Sequence, residues 1–128
     1  MGDLKDRIVL VVDDEPWIVK IVESRLKSAG YEVITAGGGE EGLRQCKLFR
    51  PDVAVLDIMM PGMTGGSVAE AMKDDPTLRH IPVIFLTALV TKAEAAKARA
   101  PGNPYYLAKP FKGEELLDMV KRALGIRV

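Results

Sequence analysis

"IVLVVDDEP", Ile8 to Pro16, joins an unbroken apolar run to two adjacent aspartates, a glutamate and a proline. Five apolar residues without alternation suit a strand buried on both faces, as in a parallel sheet covered by helices. Asp13 and Asp14 then stand at the carboxyl end of that strand. Two carboxylates about 4 Å apart repel by roughly 4 kcal/mol at an effective dielectric near 20. Carboxylates favour the first turn of a helix, which explains one of these aspartates well and the second less well.

Four further runs continue the pattern: "YEVITA", "DVAVLD", "PVIFLT" and "YYLA". Between them, helical spacing marks Ile18, Ile21, Val22, Leu26 and Ala29 as one face, then Leu43 with Cys46, and Val68 with Met72. Leu116, Leu117, Val120, Ala123 and Leu124 mark the last helix. Strand–helix alternation at this spacing predicts an α/β fold, a doubly wound (βα)5 sandwich with helices on both faces of a parallel sheet. "YEVITA" mixes in polar residues, and "YYLA" is short and follows Pro104, so both suit edges. Right-handed crossovers then favour the flavodoxin-like strand order 2-1-3-4-5, whose ligand crevice lies beyond the carboxyl ends of strands one and three. Asp13, Asp14 and Asp57 would converge there.

The bulk properties narrow the function. At 128 residues the chain is expected to be one domain, with its core at about residues 7–124. Eighteen basic residues balance eighteen acidic ones, so no overall field draws the molecule to nucleic acid or an anionic membrane. The single cysteine, Cys46, falls on an apolar helical stripe and reads as packing. With no membrane-length apolar run and no signal-peptide core at "MGDLKDR", a cytoplasmic location is expected. The lone histidine, His80, has no second histidine or thiol pair beside it to build a zinc site.

"GGGEEG", Gly37 to Gly42, matches a dinucleotide-binding pattern, and Asp57 even lies at about the spacing of a ribose-binding acid, some 20 residues on. Glu40 and Glu41 would, however, occupy the helix N-terminus where pyrophosphate must sit. A glycine turn into a helix with acids on its first turn explains the stretch better.

Three converging carboxylates are tolerable around a hard divalent cation, because Mg²⁺ prefers oxygen ligands and commonly bridges carboxylates to a phosphoryl group. One carboxylate can then serve as a nucleophile toward phosphorus. Phosphoryl transfer also needs cationic and hydroxyl donors. Thr87 in "FLTA" and Lys109 in "LAKPF" stand at the ends of strands four and five to supply them.

"VVDDEP", "AVLDIMMPGMTG", "IPVIFLTA" and "YYLAKPF" together resemble the receiver domain of two-component response regulators, over about Arg7 to Leu124. The resemblance implies that Asp57 accepts a phosphoryl group from a phosphohistidine on a sensor kinase or phosphotransfer protein. It implies Mg²⁺, with Mn²⁺ as an alternative, on Asp14, Asp57 and the backbone carbonyl of Met59, with Asp13 assisting through water. Lys109 would pair with Asp57 and then with the phosphoryl oxygens. Thr87 would bond the phosphoryl group, and Tyr106 would swing as the coupled aromatic switch. The bond before Pro110 is expected to be cis. Met59 and Leu89, both large and apolar, would shield the phosphoryl group from water and slow its loss. Trp17, off the apolar stripe of helix one, is a candidate docking anchor.

The family usually places an Ala-Gly-Ala-Asp-like turn before strand five, where this chain reads "RAPGNPYY". Pro101 should end the fourth helix, in which the only apolar residues are the small Ala93, Ala95, Ala96, Ala98 and Ala100, so this helix should be loosely anchored. Four residues follow Leu124, so output is expected through a protein partner and not through an attached domain. A monomer is expected, with phosphorylation-dependent dimerisation as the alternative. The competing function is a Mg²⁺-dependent phosphohydrolase working through an aspartyl-phosphate. Such enzymes usually carry another acid two residues after the nucleophile, where this chain has Met59, and a cap for which it has no room. A receiver-shaped module that no longer turns over would not need the complete residue set.

Overall fold

The computed structural model describes residues 7–88 and 105–125. Among these residues lie β1 (Ile8–Val12), α1 (Pro16–Ser28), β2 (Glu32–Ala36), α2 (Gly39–Phe49), β3 (Val53–Asp57), α3 (Gly65–Asp74), β4 (Val83–Thr87), β5 (Tyr105–Ala108) and α4 (Gly113–Ala123). The helix expected before Pro101, and Leu89, lie outside them. The strands form one parallel sheet of order β2-β1-β3-β4-β5. Composition anticipated the edges: every residue of β3 is buried, whereas β2 and β5 each bury one.

Strand alternation divides the core. Val9, Val11, Val53, Val55, Ile84 and Leu86 face α1 and α4. Leu10, Val12, Ala54, Leu56 and Phe85 face the other way, onto Cys46 of α2 and Val68 and Met72 of α3. Burying both faces of the three central strands stabilises the sheet by roughly 1.5–3 kcal/mol for each large aliphatic side chain. It also holds the strand ends in fixed register.

The helical faces differ from expectation in two places. Ile21 is 54% exposed, because Ile18, Val22 and Leu26 form the buried i, i+4 row while Ile21 turns toward the groove between α1 and α4. On α4 the buried row is Leu116, Met119 and Val120, and Leu117 is only half-buried.

The paired glycines that open α3 are not equivalent. A Cβ on Gly65 would collide with the backbone carbonyl of Asp57, while one on Gly66 would meet nothing closer than 3.8 Å. Helix α3 therefore starts hard against the end of β3, an approach only glycine permits. Gly65→Ala should destabilise the protein by about 1–3 kcal/mol, and Gly66→Ala should stabilise it by up to about 1 kcal/mol. Urea unfolding of the two variants checks this; equal effects at both positions would contradict the close approach.

Candidate functional site

The crevice beyond β1 and β3 is built by the ends of four strands. Asp13 follows β1, Asp57 and Thr87 close β3 and β4, and Lys109 follows β5. Because Val12 pairs with Leu56 across the sheet, the next residues, Asp13 and Asp57, become neighbours. Asp13, Asp57 and Thr87 are 1%, 3% and 3% exposed, whereas Asp14 is exposed.

The aspartate pair does not start the helix. Helix α1 begins at Pro16 and has no acid in its first turn. The Asp13 N–H instead donates to the Ala36 carbonyl at 3.2 Å, and its Oδ1 accepts the Glu15 N–H at 2.9 Å. This turn holds Asp13 inward. Asp57 Oδ1 accepts the Met59 N–H at 3.2 Å, which fixes the carboxylate at the strand end. The Lys109 N–H donates to the Thr87 carbonyl at 3.0 Å, and the Lys109–Pro110 peptide is cis.

Lys109 Nζ lies 3.0 Å from Asp13 Oδ2, 3.3 Å from Glu15 Oε1 and 3.5 Å from Asp57 Oδ2. The pairing expected with Asp57 is present, but Asp13 is nearer, and Glu15 is a partner that sequence reasoning missed. Its signal was the third acid of "DDEP", which strand and helix periodicity cannot aim.

Three carboxylates thus face one ammonium. Burial, and then the charge of Asp13, raise the Asp57 carboxyl from an ordinary 3.8 to about 6, against the opposing pull of Lys109 and the Met59 N–H. Burial works against the Lys109 ammonium, but the hydrogen bond and charge of Asp13, with Asp57 and Glu15, outweigh it and raise its pKa.

Oxygen atoms of Asp13, Asp14 and Asp57 lie within 4.8 Å of one another. An all-oxygen, anionic set with one exposed member suits a hard divalent cation that keeps part of its water shell. The under-neutralised charge at Asp57 is what such a cation would relieve.

The remaining candidates sit around this centre. Tyr106 is half-buried on β5 and tilts against Phe85, its neighbour in register, with ring centroids 5.5 Å apart. Met59 and Trp17 are 62% and 59% exposed. The "GGGEEG" stretch forms a turn and the first turn of α2: a Cβ on Gly39 would strike Met63, and one on Gly42 would strike Val12. Those glycines serve packing. No helix among the described residues is long and apolar enough to cross a membrane.

A family model described as the response regulator receiver domain matches residues 9–121. The polar-differentiation response regulator DivK of Brucella anthropi is 34% identical over 117 residues, covering 91% of this chain and 95% of DivK. The response regulator PleD of Caulobacter vibrioides is 40% identical over 113 residues, 88% of this chain but only 25% of PleD, so the chain spans about a quarter of that relative. The receiver domain of sensor histidine kinase PA1611 from Pseudomonas aeruginosa superposes with a TM-score of 0.80 at 30% identity, over 93% of this chain and 98% of that one. That structure holds a magnesium ion coordinated in its active-site cleft.

Proposed function

The chain belongs to the response-regulator receiver family, and from that membership we propose that it takes a phosphoryl group onto Asp57 from a phosphohistidine donor. The donor is a sensor histidine kinase or a histidine phosphotransfer protein. A carboxylate oxygen of Asp57 attacks phosphorus and the P–N bond breaks. The bonding pair leaves with the imidazole, which departs neutral because its other nitrogen carries the proton. The observation that carries this reading is the buried Asp57 carboxylate, held by the Met59 N–H and 3.5 Å from the Lys109 ammonium.

Asp14, Asp57 and the Met59 carbonyl would hold Mg²⁺, or Mn²⁺ in its place, with Asp13 assisting through water. When bound, the cation neutralises charge building on the phosphoryl oxygens. Lys109, tied to β4 by its backbone bond to the Thr87 carbonyl and 3.5 Å from Asp57, would add a second positive charge there. Thr87 lies buried at the end of β4, two strands from Asp13, and takes the hydroxyl role toward the phosphoryl group. A shift at Thr87 would be felt through β4 by Phe85 and its ring partner Tyr106, which takes the role of the aromatic switch.

The test is transfer of label from a phosphorylated histidine phosphotransfer protein, with Mg²⁺ and with chelator. Label should appear on the wild type with Mg²⁺ only and not on Asp57→Asn. Unchanged labelling of that variant would refute the assignment.

Trp17 extends the reading to the donor. It stands on the first turn of α1, exposed, and shares a groove of about 370 Å³ with Ile21, Phe111 and Lys109. An exposed Trp is a common centre of interface energy. Trp17→Ala should slow transfer from the protein donor by about ten- to thirtyfold and leave a small phosphodonor's rate unchanged. Equal slowing of both would mean that Trp17 only packs.

A further inference from the structure

Glu15 does something at this site that neither its position nor the acid triad requires. It occupies the N-cap of α1, where Ser, Thr, Asp or Asn would satisfy a free backbone N–H, and its side chain makes no capping bond. The carboxylate reaches Lys109 Nζ at 3.3 Å instead. Lys109 donates hydrogen bonds to Asp13 and Glu15, while its contact with Asp57, at 3.5 Å, is ionic only. The ammonium therefore rests on the β1 side of the crevice. Asp13 is fully enclosed there, and its other oxygen is tied to the Glu15 N–H. The Glu15 side chain is 45% exposed at the mouth and is the one partner free to let go.

We propose that Glu15 is a positioning residue that holds Lys109 toward β1 and away from Asp57, so that this contact must loosen before the lysine can engage a phosphoryl group. The inference rests on Asp57 being the phosphoacceptor. It makes the first turn of α1 a control on how readily the site fills. A phosphoryl group on Asp57 adds oxygens that compete for the three hydrogens of Nζ, and the half-exposed glutamate is the acceptor that water can replace at least cost.

The experiment compares wild type, Glu15→Gln and Glu15→Asp. Two quantities are read with Mg²⁺ present: the equilibrium affinity for beryllofluoride, a phosphoryl mimic, and the labelling rate with acetyl phosphate. Glu15→Asp keeps the charge but is one methylene shorter, which separates holding from simple repulsion of an anion. Both variants should raise affinity and rate by about two- to fivefold, the worth of a part-exposed ion pair. Nitrogen-15 NMR should show the Lys109 ammonium resonance moving in the same direction in both. If Glu15→Asp behaves as wild type while Glu15→Gln gains, the effect is repulsion and the holding role is wrong. No change in either variant also overturns it. A wild type that binds no beryllofluoride and takes no label would defeat the phosphoacceptor reading and this inference with it.

Discussion

Without divalent cation, Asp57→Asn is expected to be more stable than the wild type at pH 8, by on the order of 2 kcal/mol. Burial and the charge of Asp13 raise the Asp57 carboxyl to about 6, so the folded chain binds this proton more tightly than the unfolded one does. Below about pH 4 the group is protonated in both states and costs nothing. Between about 4 and 6 the unfolded chain ionises while the folded one resists, and stability falls as pH rises; above about 6 the penalty is complete. Asparagine removes it at every pH. Urea unfolding in chelator from pH 4 to 8 should therefore show a declining Asp57 contribution in the wild type and none in the variant. Mg²⁺ should reverse the order by stabilising the wild type alone. A variant less stable than wild type at pH 8 in chelator would mean that the crevice is not under-neutralised.

Removing the lysine should act in the opposite direction. Lys109→Met leaves Asp13, Glu15 and Asp57 without the one ammonium that pairs with them among the described residues. Breaking a largely buried pair costs about 3–5 kcal/mol when the remaining charge stays enclosed, and the partial exposure of Glu15 places the loss at the lower end. If Lys109 serves the phosphoryl group as proposed, the same variant should also label about 10²–10³ more slowly. Added Mg²⁺ should restore most of the stability and little of the rate. The double variant Lys109→Met with Asp57→Asn should lose much less stability than the single effects predict, because the two groups share one electrostatic balance. Thermal unfolding and labelling kinetics on the four proteins check both statements. Strict additivity would show that the lysine and the aspartate are not coupled.

The sheet was legible because its strands announce themselves twice. Continuous apolar runs in β1, β3 and β4 require cover on both faces, and the mixed composition of β2 and β5 requires edges. Once the order 2-1-3-4-5 follows, Asp13, Asp57, Thr87 and Lys109 fall at strand ends on one side of the sheet without further information. Side-chain partners are a different matter. The reach of Glu15 to Lys109 depends on the turn at Asp13 and on where α1 begins, neither of which has a periodic signature. By helix propensity alone Gly65 is a weak residue, but its constraint comes from the Asp57 carbonyl packed against it. Ile21 matched the apolar stripe by spacing, but its angular position belongs to the groove and not to the core.

The central claim is that Asp57 is a nucleophile toward phosphorus in a crevice prepared for a divalent cation. Its most direct test is chemical. The chain is incubated with acetyl phosphate and Mg²⁺, reduced with borohydride to trap any acyl phosphate, and mapped by peptide mass spectrometry. The account predicts reduction at position 57 alone, dependent on Mg²⁺, and absent from Asp57→Asn. Trapping at Asp13 or Asp14 in the wild type, or an equal yield in chelator, would contradict it.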